Sequence, residues 1–172
     1  MASFKQACFL LVVCIFAVDA FSWKNCDRGA PVQVKKVTLS PTPIRLYEGA
    51  KITFGGSAEI KGDAGVNYKV DLSIKRKAGS WVPIWIPIPC ISNVGSCTYT
   101  GLSCSKIWKE LNKPAQCPVP AGSHNLPTTT ITLPKVDLPS FLTSGTYWAR
   151  GKLINTDNSR VMACVEINIK IR

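Results

Sequence analysis

Apolar and polar side chains alternate with a period of two through most of this chain, which leaves few folds open to it. Near the C-terminus Val161, Ala163, Val165, Ile167, Ile169 and Ile171 alternate with Met162, Cys164, Glu166, Asn168 and Lys170. Ile52, Phe54, Gly56, Ala58 and Ile60 share one face, while Lys51, Thr53, Ser57 and Glu59 supply most of the other. Tyr68, Val70, Leu72 and Ile74 alternate in the same way with Lys69, Asp71, Ser73 and Lys75. A period of two is a strand with one dry face and one wet face, the pattern of antiparallel sheets. Weaker strand-like runs at 32–39, 81–89, 128–133 and 146–154 sit between clusters of Gly, Pro, Ser and Asn. Seven or eight strands predict an all-β fold, either a two-sheet sandwich or a barrel. No repeat or linker divides residues 21–172, so one domain is expected there.

Residues 1–20 differ in character. Lys5 precedes an apolar run from Ala7 to Ala17, and small side chains stand at Val18 and Ala20 where a signal peptidase reads. The run is too short to cross a bilayer and fits a secretory signal peptide, which makes the product exported. Its removal takes Cys8 and Cys14 and leaves Cys26, Cys90, Cys97, Cys104, Cys117 and Cys164. Six cysteines in an exported chain predict three disulfides. No C-x-x-C spacing occurs and His124 is the only histidine, so no metal site is expected.

One short helix is predicted after Cys104. Ser105 is the expected cap, Ile107, Trp108 and Leu111 fall on one side, and Pro114 ends it. About two turns cannot stand alone, so the helix needs a disulfide or a sheet beneath it. Residues 81–89, Trp-Val-Pro-Ile-Trp-Ile-Pro-Ile-Pro, are apolar on both faces, and their three prolines cannot donate ladder hydrogen bonds. They read as an edge strand or an extended loop. The second face is either covered by a neighbouring loop or left open to meet a ligand or a membrane. Leu138-Pro139-Ser140-Phe141-Leu142 is a second apolar segment, read either as a plug over the core or as a flap.

Catalytic chemistry is hard to assemble from these residues. His124 reads as an ordinary loop histidine, and Gly55-Gly56-Ser57-Ala58 misses the G-x-S-x-G pattern. Ser103-Cys104-Ser105-Lys106 fits S-x-x-K, but companion motifs are absent, and the acidic residues are scattered singly. No Gly-rich phosphate loop follows a strand, so no nucleotide cofactor is expected. The formal charge is +11, with Lys35-Lys36 and Lys75-Arg76-Lys77 as small clusters. An exported disulfide protein seldom meets nucleic acid. An anionic membrane surface is the better partner, at about 1 kcal/mol per basic residue held near it. The bland reading is a well-solvated basic surface.

Seven segments then carry a resemblance. They are Phe21-Ser22-Trp23-Lys24-Asn25-Cys26-Asp27, Leu39-Ser40-Pro41-Thr42-Pro43-Ile44, Lys69-Val70-Asp71-Leu72 and Trp85-Ile86-Pro87-Ile88-Pro89-Cys90. Gly95-Ser96-Cys97-Thr98, Cys117-Pro118 and Leu138-Pro139-Ser140-Phe141-Leu142-Thr143-Ser144-Gly145 follow in order. With its cysteines in step, the chain resembles the ganglioside-activator family of the ML lipid-recognition group.

That resemblance implies a two-sheet antiparallel β-sandwich opened into a lipid-binding cup, a variant of the immunoglobulin-like layering, with one short helix and three disulfides. It implies the pairs Cys26–Cys164 and Cys90–Cys97. The family carries eight cysteines; the two missing here fall in a segment shortened between Cys117 and Leu126, so Cys104 and Cys117 are left to pair. By the same transfer Trp85, Phe141, Leu142 and Tyr147 match flap and rim positions, with Phe141 where the family has Trp, and Trp81 lies in an enlarged flap. With Ile86, Ile107 and Trp108 they form the expected lipid-contacting set.

The function implied is non-enzymatic: a lipid-transfer protein that lifts a glycosphingolipid or phospholipid from a membrane into an apolar cavity. It would present that lipid to a glycosidase such as a β-hexosaminidase, in the lysosome or outside the cell. Rival readings are a secreted binder of microbial lipids or sterols, a lipid hydrolase acting through His124, and a secretory-gland protein that has lost its enzyme partner.

Overall fold

A computed structural model describes residues 20–62, 64–79, 82–110, 114–133 and 143–172. The alternating segments become strands: β1 (Phe21–Asn25), β2 (Val32–Ser40), β3 (Lys51–Ile60), β4 (Asn67–Ala78) and β5 (Ile84–Pro87) come first. β6 (Thr98–Ser103), α1 (Cys104–Glu110), β7 (Gly122–Thr132), β8 (Gly145–Asn155) and β9 (Val161–Ile171) complete the described elements. One sheet runs β1-β9-β8-β4-β5, with β6 also on β4; the other is β2-β3-β7. All pairings between these strands are antiparallel.

Nine described strands exceed the sequence expectation because β1 and β6 carry too few apolar residues to announce themselves. β4 explains how they are accommodated. Its twelve residues present one edge that β6 occupies at Asn67–Asp71 and β5 at Lys75–Ala78. Between them the Cys90–Cys97 turn is bonded to the same edge, with the Ile74 N–H donating to Ser96 Oγ at 2.9 Å. Gly95 in this turn has φ +108°, and a Cβ there would run into the Pro89 carbonyl, so only glycine fits.

The two sheets meet at one end. Ile60, Ala64, Tyr68, Cys104 and Met162 form the buried cluster, with Val32, Leu102, Ile107, Trp108 and Leu153 packed on it. Met162 is the most enclosed large side chain, at 1% exposure. It lies where the β8–β9 register slips between Leu153 and Ile154, a bulge that turns an extra side chain inward. Along one flank the sheets are linked through a side chain. Asn25 of β1 donates from Nδ2 to the Val34 carbonyl at 2.8 Å and accepts from the Val34 N–H at 3.0 Å. An amide side chain thus partners the outer edge of β2, which pairs only with β3.

Three disulfides fasten this frame. Cys26–Cys164 ties β1 to β9, Cys90–Cys97 closes the turn on β4, and Cys104–Cys117 anchors the start of α1. Helix α1 begins two residues earlier than expected. Its cap is Ser103, whose Oγ accepts the Lys106 N–H at 3.3 Å, and Ser105 lies inside the helix, its Oγ 3.0 Å from that of Ser103. The peptides Ser40–Pro41, Thr42–Pro43 and Cys117–Pro118 are cis.

Candidate functional site: an apolar trough on the three-stranded sheet

The inner face of β2-β3-β7 is not fully covered among the described residues. It forms a trough of about 670 Å³ whose walls are Val34, Val37, Phe54, Ala58, Leu126 and Pro127. Ile107, Trp108 and Val119 close it on the helix side, together with Ile60. The volume lies within the range of sites that hold small organic ligands, roughly 300–1,000 Å³.

The cause of the space is local sequence. β3 is the middle strand of its sheet, and Gly55-Gly56-Ser57-Ala58 in its centre remove side-chain volume from the wall. Gly56 is also forced by backbone contact. A Cβ there would clash with the Lys36 carbonyl, because bulges in both neighbouring strands crowd the chain at this point. Pro127 fits β7 because it falls in the bulge on a strand paired only with β3.

A smaller apolar space of about 180 Å³ adjoins the trough, lined by Val32, Tyr68, Leu153 and Met162. Ile60, Ile107, Trp108 and Val119 line both. Trp108 is held by its Nε1–H, which donates to the Gln116 carbonyl at 3.1 Å. Cys104–Cys117 fixes the same segment from the other side. The helix face expected from the sequence is therefore the one that closes the trough.

Polar groups are few and placed at particular spots. Lys36, Ser57, His124 and Asn125 are the polar contributors to the lining. His124 lies in β7, paired with Ala58, rather than in the loop expected from its flanking Gly, Ser and Asn. Its Nε2 is 2.8 Å from the Pro120 carbonyl and, since a carbonyl only accepts, carries the proton of that bond. Of the S-x-x-K tetrad, Ser103 caps the helix and Lys106 Nζ donates to the Gly101 carbonyl at 2.9 Å. The resemblance to a nucleophile motif thus has a helix-capping origin.

The remaining expected contacts divide three ways. Trp85 and Ile86 sit on β5, the edge strand beyond β4, where Ile84 is 60% exposed and Ile86 51%. They do not line the trough; together with exposed Val82 they form an apolar edge facing solvent. Tyr147 is buried within β8, its hydroxyl donating to the Ser144 carbonyl at 3.3 Å. Trp81, Phe141 and Leu142 lie outside the described residues.

Against this geometry, the family profile of the ML domain matches residues 20–171. The chain belongs to the ML-domain family. This ML domain is 29% identical over 168 residues to the ganglioside GM2 activator of Mus musculus, covering 90% of the chain and 83% of that relative. It is equally similar to the ganglioside GM2 activator of Macaca fascicularis, 29% identical over 90% of the chain and 85% of the relative. Among solved structures it resembles the Niemann-Pick type C2 protein of the Japanese carpenter ant. That match has a TM-score of 0.47 and 13% identity, covering 88% of this chain and 99% of the other.

Proposed function

We propose that this ML domain is a non-enzymatic lipid carrier that takes the acyl part of a glycosphingolipid or phospholipid into the trough on β2-β3-β7. The observation that carries the reading is the trough itself: a large apolar concavity kept open by a run of small residues in a central strand. Each methylene moved from water into such a space contributes about 0.8 kcal/mol, so one acyl chain supplies about 10 kcal/mol gross. A chain drawn from a bilayer leaves an equally apolar home, however. The carrier must therefore meet the membrane rather than wait for free lipid. The exposed apolar edge at Val82, Ile84, Trp85 and Ile86, on a chain of net charge +11, suits that approach.

The relatives named as ganglioside GM2 activators support a further step, presentation of the carried lipid to a glycosidase such as a β-hexosaminidase. Residues 1–20 act as a secretory signal in this reading, delivering an oxidised protein to the lysosome or the cell exterior. Native mass spectrometry of the secreted protein, followed by lipid extraction, tests the carrier role. One glycosphingolipid or phospholipid per chain is the expected result. A lipid-free protein that also takes up no fluorescent lipid from anionic vesicles would refute it. A rise in ganglioside hydrolysis when the protein is added to β-hexosaminidase tests the presentation step separately.

A further inference from the structure

A third concave space, of about 330 Å³, lies where the loop between β2 and β3 meets the end of β9. Arg45, Lys51 and Arg172 line it, with the hydroxyl-bearing Thr42 and Tyr47 between them. The loop is fastened to the sheets by main-chain bonds. Ile44 N–H donates to the Lys170 carbonyl at 3.0 Å, Arg172 N–H to the Ile44 carbonyl at 2.8 Å, and Leu133 N–H to the Ala50 carbonyl at 2.8 Å. Arg172 is thereby brought beside Arg45 and Lys51, more than a hundred residues earlier in sequence, around one concavity.

Among the described residues no carboxylate side chain lines it; Glu48 belongs to the same loop but stands outside. The two ion pairs among the described residues are Lys24–Glu166 and Lys35–Glu59, and neither involves these three cations. Like charges facing a shared hollow repel, and a concave wall focuses their potential on the hollow. The guanidinium groups present forked donors that match a tetrahedral oxyanion. We infer that this pocket binds a phosphate-type oxyanion, supplied by a phospholipid headgroup or by soluble phosphate.

The sheet register says where such an anion would sit. Ile171 of β9 pairs with Gly145 of β8, Tyr147 of β8 with Arg76 of β4, and Ala78 of β4 with Ile84 of β5. The pocket and the exposed apolar edge therefore occupy the same end of the six-stranded sheet. They are three strand steps apart, about 14 Å at the usual strand spacing. A membrane that receives β5 brings its headgroups to the pocket. This placement rests on the proposed docking of β5, whereas the anion chemistry of the pocket does not.

The test compares Arg45→Gln/Lys51→Gln with Lys61→Gln/Lys109→Gln, which makes the same change in net charge on exposed residues outside the pocket. One arm measures binding to vesicles of phosphatidylcholine mixed with phosphatidylglycerol. The other follows backbone amide NMR shifts at residues 42–51 as inorganic phosphate is added. At about 5-fold per cation held at the surface, the pocket pair should weaken vesicle binding about 25-fold. The control pair should change it less than about 2-fold, as expected for charges remote from the anion. A pocket-specific loss on vesicles assigns the lipid phosphate as ligand. Saturable phosphate shifts without that loss assign the soluble anion. Equal weakening by both pairs, with no saturable shift, overturns the inference. Because the phosphate arm contains no vesicle and no cargo lipid, failure of the carrier role leaves it readable.

Discussion

Ala58 stands on the wall of the trough, in the middle of the small-residue run and opposite Val34 and His124 in the neighbouring strands. Ala58→Trp separates two accounts of that space. In an open trough the new indole finds room and buries its own apolar surface. A tryptophan that buries about 150 Å² gains at most about 4 kcal/mol at 25 cal/mol per Å². Realised cavity-filling gains are about 0.5–2 kcal/mol. The melting temperature should therefore rise by about 1–8 °C, at about 2–4 °C per kcal/mol for a domain of this size. The same indole excludes cargo. If it displaces about five methylenes at about 0.8 kcal/mol each, uptake loses about 4 kcal/mol, close to three orders of magnitude. Calorimetric melting and transfer of a fluorescent phospholipid from vesicles measure the two quantities. Stability should rise while uptake collapses. A lowered melting temperature with uptake unchanged would refute the reasoning. It would mean that the wall at Ala58 is already packed, where an added side chain costs about 1–3 kcal/mol, and that lipid goes elsewhere.

Ile84→Asp with Ile86→Asp should leave stability within about 0.5 kcal/mol, since both are exposed, yet reduce association with neutral vesicles at least 10-fold in a flotation assay. Removing Cys26–Cys164 opens a sequence separation of 138, against 7 for Cys90–Cys97. Chain-entropy scaling gives losses of about 5 and about 2.4 kcal/mol, to be read from denaturant midpoints of the paired serine variants. The Glu59 carboxyl is held below the ordinary carboxylate range, chiefly by its hydrogen bond from Lys35 at 2.7 Å and then by that ammonium's charge. Its contribution to stability is therefore present above the ordinary carboxylate range and lost as pH falls through the lowered value. NMR titration of Lys35→Gln should move the Glu59 midpoint upward, and an unmoved midpoint would remove Lys35 as the cause.

β3, β4 and β9 were legible as strands from their alternation. Met162 and Cys164, expected on the wet face of β9, are nevertheless buried, because the β8–β9 bulge and the Cys26–Cys164 bridge hold that side against the core. β7 was only half legible. Gly122-Ser123-His124-Asn125 lacks β-formers and Pro127 looks like a breaker, but pairing with β3 from Ile60–Gly122 to Lys51–Thr132 overrides local preference. The helix is legible from Ile107 and Trp108, although two serines flank Cys104 and the structure uses Ser103, not the expected Ser105, as the cap. The helix side of the trough was thus visible, and the open space along β3 was not. Gly55-Gly56-Ser57-Ala58 looked like a failed catalytic motif. Its meaning as missing volume depends on β3 being the central strand, which alternation alone does not reveal. The basic pocket was illegible for a different reason: Arg45, Lys51 and Arg172 become neighbours only through the β9 contact with Ile44.

Trp108 stands in the wall shared by the trough and the smaller space beside it, restrained by one bond to the Gln116 carbonyl. A neutral bond of this kind has a net worth of about 1 kcal/mol, close to that of a single methylene withdrawn from water. Moving the indole would also give up its packing on the buried cluster around Met162, so one or two extra carbons cannot offset its release. In the proposed carrier role the trough therefore sets the length limit, and each methylene beyond it stays in water at a cost of about 0.8 kcal/mol.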